Sequence, residues 1–166
     1  MDQLRIEPMK GIGLLRLGMS QSEVEDCLQI YTDKYEITYE QNPLRYHDPG
    51  AIKRSFQVEY DAEGRVNFIQ ICSSLKDVVR CTFETWDVFN MKAEELVDRI
   101  DQLSKYERNG FDLGFDYYFP ELNLSFWRPV ALSESDLQEN WFKELAPAIQ
   151  EDEKKNLYFE CVSIKC

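Results

Sequence analysis

The run Leu15-Arg16-Leu17-Gly18-Met19-Ser20-Gln21-Ser22-Glu23-Val24 constrains the chain most, because a short apolar segment there meets a helix start across a glycine. Gly18 lets the backbone turn tightly, since a residue without Cβ takes a positive φ at little cost. Ser20 stands as an N-cap, and Glu23, three residues on, returns a bond to the Ser20 backbone N–H, so the pair makes a capping box. Val24, Cys27, Leu28 and Tyr31 follow at i, i+3, i+4 and i+7, one face of a helix. Strand, turn and helix in that order predict a helix packed on a sheet.

The remaining elements follow the same logic. Asn42-Pro43-Leu44-Arg45-Tyr46-His47-Asp48-Pro49-Gly50 reads as a loop. Phe56, Val58 and Tyr60 alternate, Asp61-Ala62-Glu63-Gly64 supplies a turn, and residues 65–72 resume a strand, which predicts a hairpin over 55–72. The order then recurs. Asn90 is placed to cap a helix with Ala93, Leu96, Val97, Ile100 and Leu103 as its apolar stripe, ending near Asn109-Gly110. Glu94, Glu95, Asp98 and Asp101 fall to its solvated side. Residues 115–119 and 122–127 read as two further strands, split by Pro120-Glu121. A third helix, capped by Ser133 or Ser135, carries Leu137, Trp141 and Leu145, and a charged link over 151–155 leads to a last strand over 157–164. The expected fold is α+β, an antiparallel sheet packed by helices, with two tandem helix–strand–strand units plus a C-terminal helix and strand. One domain over 1–166 is expected, with half-units 1–75 and 76–166.

Composition excludes several functions. The chain has 166 residues, 43% of them hydrophobic, enough for a sizeable core. Its 31 acidic residues against 19 Lys and Arg give a formal charge of −12, and no basic run interrupts them, which argues against a phosphate-backbone partner. The same charge speeds encounter with a basic protein. Cys27, Cys72, Cys81, Cys161 and Cys166 are odd in number and lack C-x-x-C spacing, so the reading is reduced thiols in a cytoplasmic protein. No basic leader followed by an apolar core opens the sequence, and no apolar run approaches the roughly 18 residues of a membrane span.

Few residues point to chemistry. His47 is the single histidine, so sites built on two imidazoles are absent. Gly11-Ile12-Gly13 with Gly18 fits neither a dinucleotide fingerprint nor a phosphate loop, and reads as bends before the first helix. No cofactor or metal is called for. Asp112 and Asp116 lie on a strand-like segment beside Tyr117, and these three are the set available to a small carboxylate-dependent hydrolase or isomerase. The aromatic set Phe115, Tyr117, Tyr118, Phe119, Phe126 and Trp127 is mostly core, yet alternation leaves part of it on an open sheet face. Tyr and Trp there suit a protein interface. Asp112, Asp116, Tyr117, Tyr118 and Trp127 are therefore the candidate partner-binding residues.

The apolar run, Gly18-Met19-Ser20, the spacer, Val24 and Leu28 resemble the helix start of a superfamily. It includes the small lipoprotein of the outer-membrane β-barrel assembly machinery and the β-lactamase inhibitory proteins. The resemblance covers about fourteen residues and implies helices paired with antiparallel sheet, in tandem units. Where that family carries Gly-x-Pro after the helix, this chain has Gln29-Ile30-Tyr31, and the second helix start, Asn90-Met91-Lys92, lacks the glycine. No site residue transfers. The resemblance implies a non-enzymatic scaffold that presents a sheet face to another protein. By analogy with immunity proteins, the expected activity is occlusion of a partner, such as a basic bacterial toxin, through an acidic, aromatic face. The other readings are the hydrolase or isomerase above and a structural subunit.

Overall fold

The capping box at the first helix forms as the sequence predicts. In α1 (Gln21–Lys34) the Glu23 N–H donates to Ser20 Oγ, and the Ser20 N–H donates to Glu23 Oε2 at 2.7 Å. Gly18 takes φ 87°, and the turn it makes is stitched to a distant strand. The Gly18 N–H donates to the Val66 carbonyl at 2.8 Å, and the Val66 N–H donates to the Met19 carbonyl at 2.9 Å. Local capping and long-range docking thus fix one end of α1, whose inner face buries Val24, Leu28 and Tyr31.

The computed structural model describes residues 2–39, 46–48 and 50–166, and the architecture is α+β. Before α1 come β1 (Gln3–Glu7), β2 (Gly11–Ile12) and β3 (Leu15–Arg16). After it, β4 (Thr38–Tyr39) pairs with β5 (Tyr46–His47), and α2 (Ala51–Arg54) leads into the hairpin of β6 (Phe56–Tyr60) and β7 (Val66–Cys72). The loop expected over 42–50 therefore contains a short strand, while its residues 42–45 and 49 lie outside the described residues. The second half repeats the order with β8 (Arg80–Phe83), β9 (Trp86–Asp87), α3 (Ala93–Asp101), β10 (Asp116–Phe119) and β11 (Leu124–Trp127).

The strands form two larger sheets where a single antiparallel one was expected. The first has the order β3-β2-β1-β8-β9, and β1 runs parallel to β8 with Leu4 opposite Cys81 and Ile6 opposite Phe83. Parallel neighbours need a long connection, and here it is the whole of the first half. The second sheet, β10-β11-β12-β7-β6, is antiparallel throughout. Its central strand β12 (Cys161–Lys165) comes from the chain end and separates the two hairpins. One core cluster draws on both sheets, α1, α2 and α3, with Ile12, Leu15, Ile69, Ile71, Leu96 and Phe126 fully enclosed.

Three local expectations are corrected. Asn90 does not cap α3: its side chain donates to Asp87 Oδ2 at 3.0 Å, and Lys92 occupies the N-cap without a side-chain bond. The helix stops at Asp101, where Lys105 and Arg108 fold back onto the carboxylate, so it never reaches Asn109-Gly110 and Leu103 is 61% exposed. The third helix is broken. A 3-10 turn (Ser135–Gln138), α4 (Asn140–Lys143), α5 (Pro147–Glu153) and a 3-10 turn (Lys154–Leu157) replace it, because Glu139 is extended at ψ 148° and Pro147 opens a new helix. Phe142, not Trp141, is buried, joining Leu132 and Leu157 in a small separate cluster. The expected charged link is helical, and the last strand begins at Cys161.

Candidate functional site

Cross-strand register sorts the second sheet into two faces, since opposed residues of neighbouring strands point the same way. Phe119, Leu124, Phe126, Val162, Ile164, Ile69 and Ile71 form the core face. On the outer face, Asp116 lies opposite Trp127, Tyr118 opposite Ser125, and Ser125 opposite Ser163. Gln70 and Gln57 extend the row to β6.

The β10–β11 end of this outer face differs from the rest. Residues 111–115 form a loop before β10 in which the Phe115 and Asp116 N–H groups both donate to the Asp112 carbonyl, at 3.0 and 2.9 Å. The Arg128 N–H donates to the Phe115 carbonyl at 2.9 Å, which sets this loop beside the end of β11. The loop's apolar side chains stay in solvent: Phe111 is fully exposed, and Leu113, Phe115 and Trp127 are each 40–43% exposed. Isolated exposed apolar residues are ordinary, but several on one loop and the adjoining strand end mark a candidate interaction surface, of which Phe115, opposite Arg128 in register, lies on the Tyr117 side and not with Trp127.

Carboxylates border this group. Glu107, Asp112, Asp116, Tyr118 and Phe111 line a shallow cavity of about 190 Å³ with Gly110. Burial, with the Asp112 charge adding to it, raises the pKa of Asp116 above the usual carboxylate value. Its Oδ1 is buried with no hydrogen-bond partner among the described residues. Tyr118 is held in place: its hydroxyl donates to Asn123 Oδ1 at 2.7 Å, and Lys165 Nζ lies 4.6 Å from its ring centroid.

Arg128 holds the loop from below. Only 3% exposed, it donates from Nε to the Gly114 carbonyl at 2.9 Å and from Nη1 to the Leu132 and Asn156 carbonyls at 2.8 and 3.0 Å. One guanidinium thereby ties the 111–115 loop, the strand end and the C-terminal segment together. Desolvation lowers its pKa, opposed by nearby Tyr117, Glu94 and Asp136.

The structure brings together four of the five candidate residues, Asp112, Asp116, Tyr118 and Trp127. Tyr117 is separated from them, because alternation turns it to the core side, where its ring meets Tyr106 at 5.2 Å and Phe159 at 5.9 Å, both edge-on. The trio Asp112, Asp116 and Tyr117 therefore does not converge. Sequence reasoning missed Phe111, Leu113 and Arg128. A sign of the first two was present: Phe111, Leu113 and Phe115 alternate as a strand does, but Asn109-Gly110 and Gly114 punctuate the run and mark it as a loop.

Elsewhere, the glycines before α1 serve as bends and close approaches. Gly13 has φ 58°, and a Cβ there would lie 2.3 Å from Tyr31 Oη, which accepts the Leu14 N–H at 2.6 Å. A groove of about 390 Å³ runs beside them between β1 and α1, lined by Arg5 and by the ion pairs Arg16–Glu7 and Lys34–Asp2. The side chain of His47 lies outside the described residues. Among the described residues no helix is long and apolar enough to cross a membrane, and no group of three or more His, Cys, Asp or Glu is placed to hold a metal. Comparison with protein-family models, curated proteins and solved structures finds no match to this chain.

Proposed function

We propose that this chain is a non-enzymatic protein-binding module that covers a basic surface on a partner protein, in the manner of a cytoplasmic immunity or inhibitor protein that occludes a bacterial toxin. One observation carries the reading: Phe111 and Leu113 are exposed in the loop that carries Asp112, Trp127 is exposed opposite Asp116 on the outer face, and Phe111 lines one cavity with Glu107, Asp112 and Asp116. Aromatic anchors at the centre and charges at the margin are the arrangement that gives protein interfaces their affinity and their on-rate. A net charge of −12 selects a basic partner. The tandem strand–helix–hairpin order supports the resemblance to the β-lactamase inhibitory superfamily, whose members likewise present sheet.

The test is calorimetric titration of the purified chain against the basic proteins encoded beside its gene. The expected result is a complex whose association rate falls steeply with salt and whose affinity drops at least about tenfold in Trp127→Ala. Absence of binding to any of them, or full affinity in both Phe111→Ala and Trp127→Ala, overturns the reading.

A further inference from the structure

The sequence spacing of Cys72 and Cys161 predicts reduced thiols, and the fold sets the two directly opposite each other on β7 and β12. Their sulfurs are 3.1 Å apart, although 89 residues separate them along the chain. The neighbouring pair, Ser73 with Glu160, carries the ladder bond, the Ser73 N–H donating to the Glu160 carbonyl at 2.7 Å. Cys72 and Cys161 thus occupy a non-hydrogen-bonded position, where Cα atoms of antiparallel strands approach to about 4.5 Å. A disulfide spans Cα distances from about 4.4 Å, so the strands accept the bond without moving apart. Cys72 is half-buried and Cys161 is 7% exposed, which makes Cys72 the more accessible of the two.

We infer that Cys72 and Cys161 form a thiol–disulfide exchange site, with Cys72 attacking a low-molecular-weight disulfide and Cys161 resolving the product. The Cys72 sulfur bonds to one sulfur of the disulfide, whose S–S bond breaks, and the first thiolate leaves and takes up the Cys72 proton. The Cys161 sulfur then bonds to Cys72 Sγ and expels the second thiolate, which takes the Cys161 proton. The dithiol is oxidised by two electrons and the small disulfide is reduced to two thiols. The order of attack follows exposure: Cys72 is half-buried and Cys161 is 7% exposed, so a dissolved disulfide meets Cys72 first, and the S–H···S contact between them lowers the thiol pKa of Cys72 and raises that of Cys161. Cys81, by contrast, is buried and its thiol is pushed up by desolvation.

The pair shares its row with the candidate site. Asp116, Trp127, Cys161 and Cys72 are opposed in turn across β10, β11, β12 and β7 on the outer face. The inference does not depend on partner binding, and its test uses no partner. The native chain is incubated with oxidised glutathione, digested without reduction and mapped by mass spectrometry. The expected result is loss of two hydrogens per chain and one linked peptide pair, joining Cys72 to Cys161. Cys161→Ser is expected to accumulate glutathione on Cys72, and Cys72→Ser to leave Cys161 unmodified. Linkage through Cys27 or Cys166 instead, a lasting glutathione adduct on Cys72 of the native chain, or no oxidation of the pair would each overturn the assignment. The native-chain map stands even if a variant fails to fold.

Discussion

The two halves of the molecule share an order of elements and solve it with different physics. In the first half, α1 is fixed at its N-terminal end by a capping box, a left-handed glycine and two backbone bonds to Val66. In the second, α3 has no side-chain cap and is held by burial, four of its nine residues, Ala93, Leu96, Val97 and Ile100, being enclosed. The hairpins differ as well. The outer positions of β6 and β7 carry Gln57, Glu59, Gln70 and a partly buried Phe68, with Gln70 Nε2 donating to Gln57 Oε1 at 3.4 Å. The outer edge at β10 and β11 carries Trp127 and the apolar loop beside the carboxylates. A shared scaffold thus leaves one half with a mostly polar outer surface and the other with exposed apolar side chains beside carboxylates.

The largest effect that breaks this contrast is at Arg128. Arg128→Ala strips the donor from two buried carbonyls and one partly buried one, each buried one worth about 1–3 kcal/mol when left unpaired, so urea denaturation should show a loss of at least about 2 kcal/mol. Leu96→Ala comes next, about 2–5 kcal/mol, and should exceed the loss in Val24→Ala, the smaller buried residue at the matching place in α1. If the two are equal, burial does not distinguish the helices. Ser20→Ala should cost about 1 kcal/mol, whereas Lys92→Ala at the α3 start should change stability by less than about 0.5 kcal/mol.

The smallest effect is electrostatic. Because the pKa of Asp116 is raised on folding, the folded state holds its proton more tightly than the unfolded chain does, and ionisation weakens the fold as pH rises above the ordinary value of 3.8. Asp116→Asn should therefore stabilise the protein at pH 7 by less than about 1 kcal/mol, the group being only half-buried. The gain should fade as the pH is lowered toward 3. A gain that persists in acid would assign the effect to packing.

Much of the framework was legible in the sequence because it rests on local rules. Ser20 with Glu23, the turn at 61–64 and the stripe Leu96, Val97 and Ile100 each declare themselves within a few residues. What could not be read depends on distant pairing. The parallel seam of β1 on β8, the insertion of β12 between the hairpins and the contact of Cys72 with Cys161 all require knowing which strand lies next to which. The site was half legible for the same reason. Alternation alone separates Asp116 and Tyr118 from Tyr117, but which face meets the core is decided by tertiary packing. The broken C-terminal helix failed locally instead: the Leu137, Trp141, Leu145 spacing looked helical, while the chain turned at Glu139.

The central claim, that the β10–β11 end of the outer sheet face binds a basic partner, is tested most directly by one paired titration. Calorimetry compares Phe111→Ala/Trp127→Ala with Gln57→Ala/Gln70→Ala, each folded by circular dichroism, against the basic protein partner. The account predicts affinity reduced by about a hundredfold or more in the first variant, the loss of two anchors, and unchanged in the second. Equal affinities in the two, or a loss confined to the glutamine variant, would contradict it.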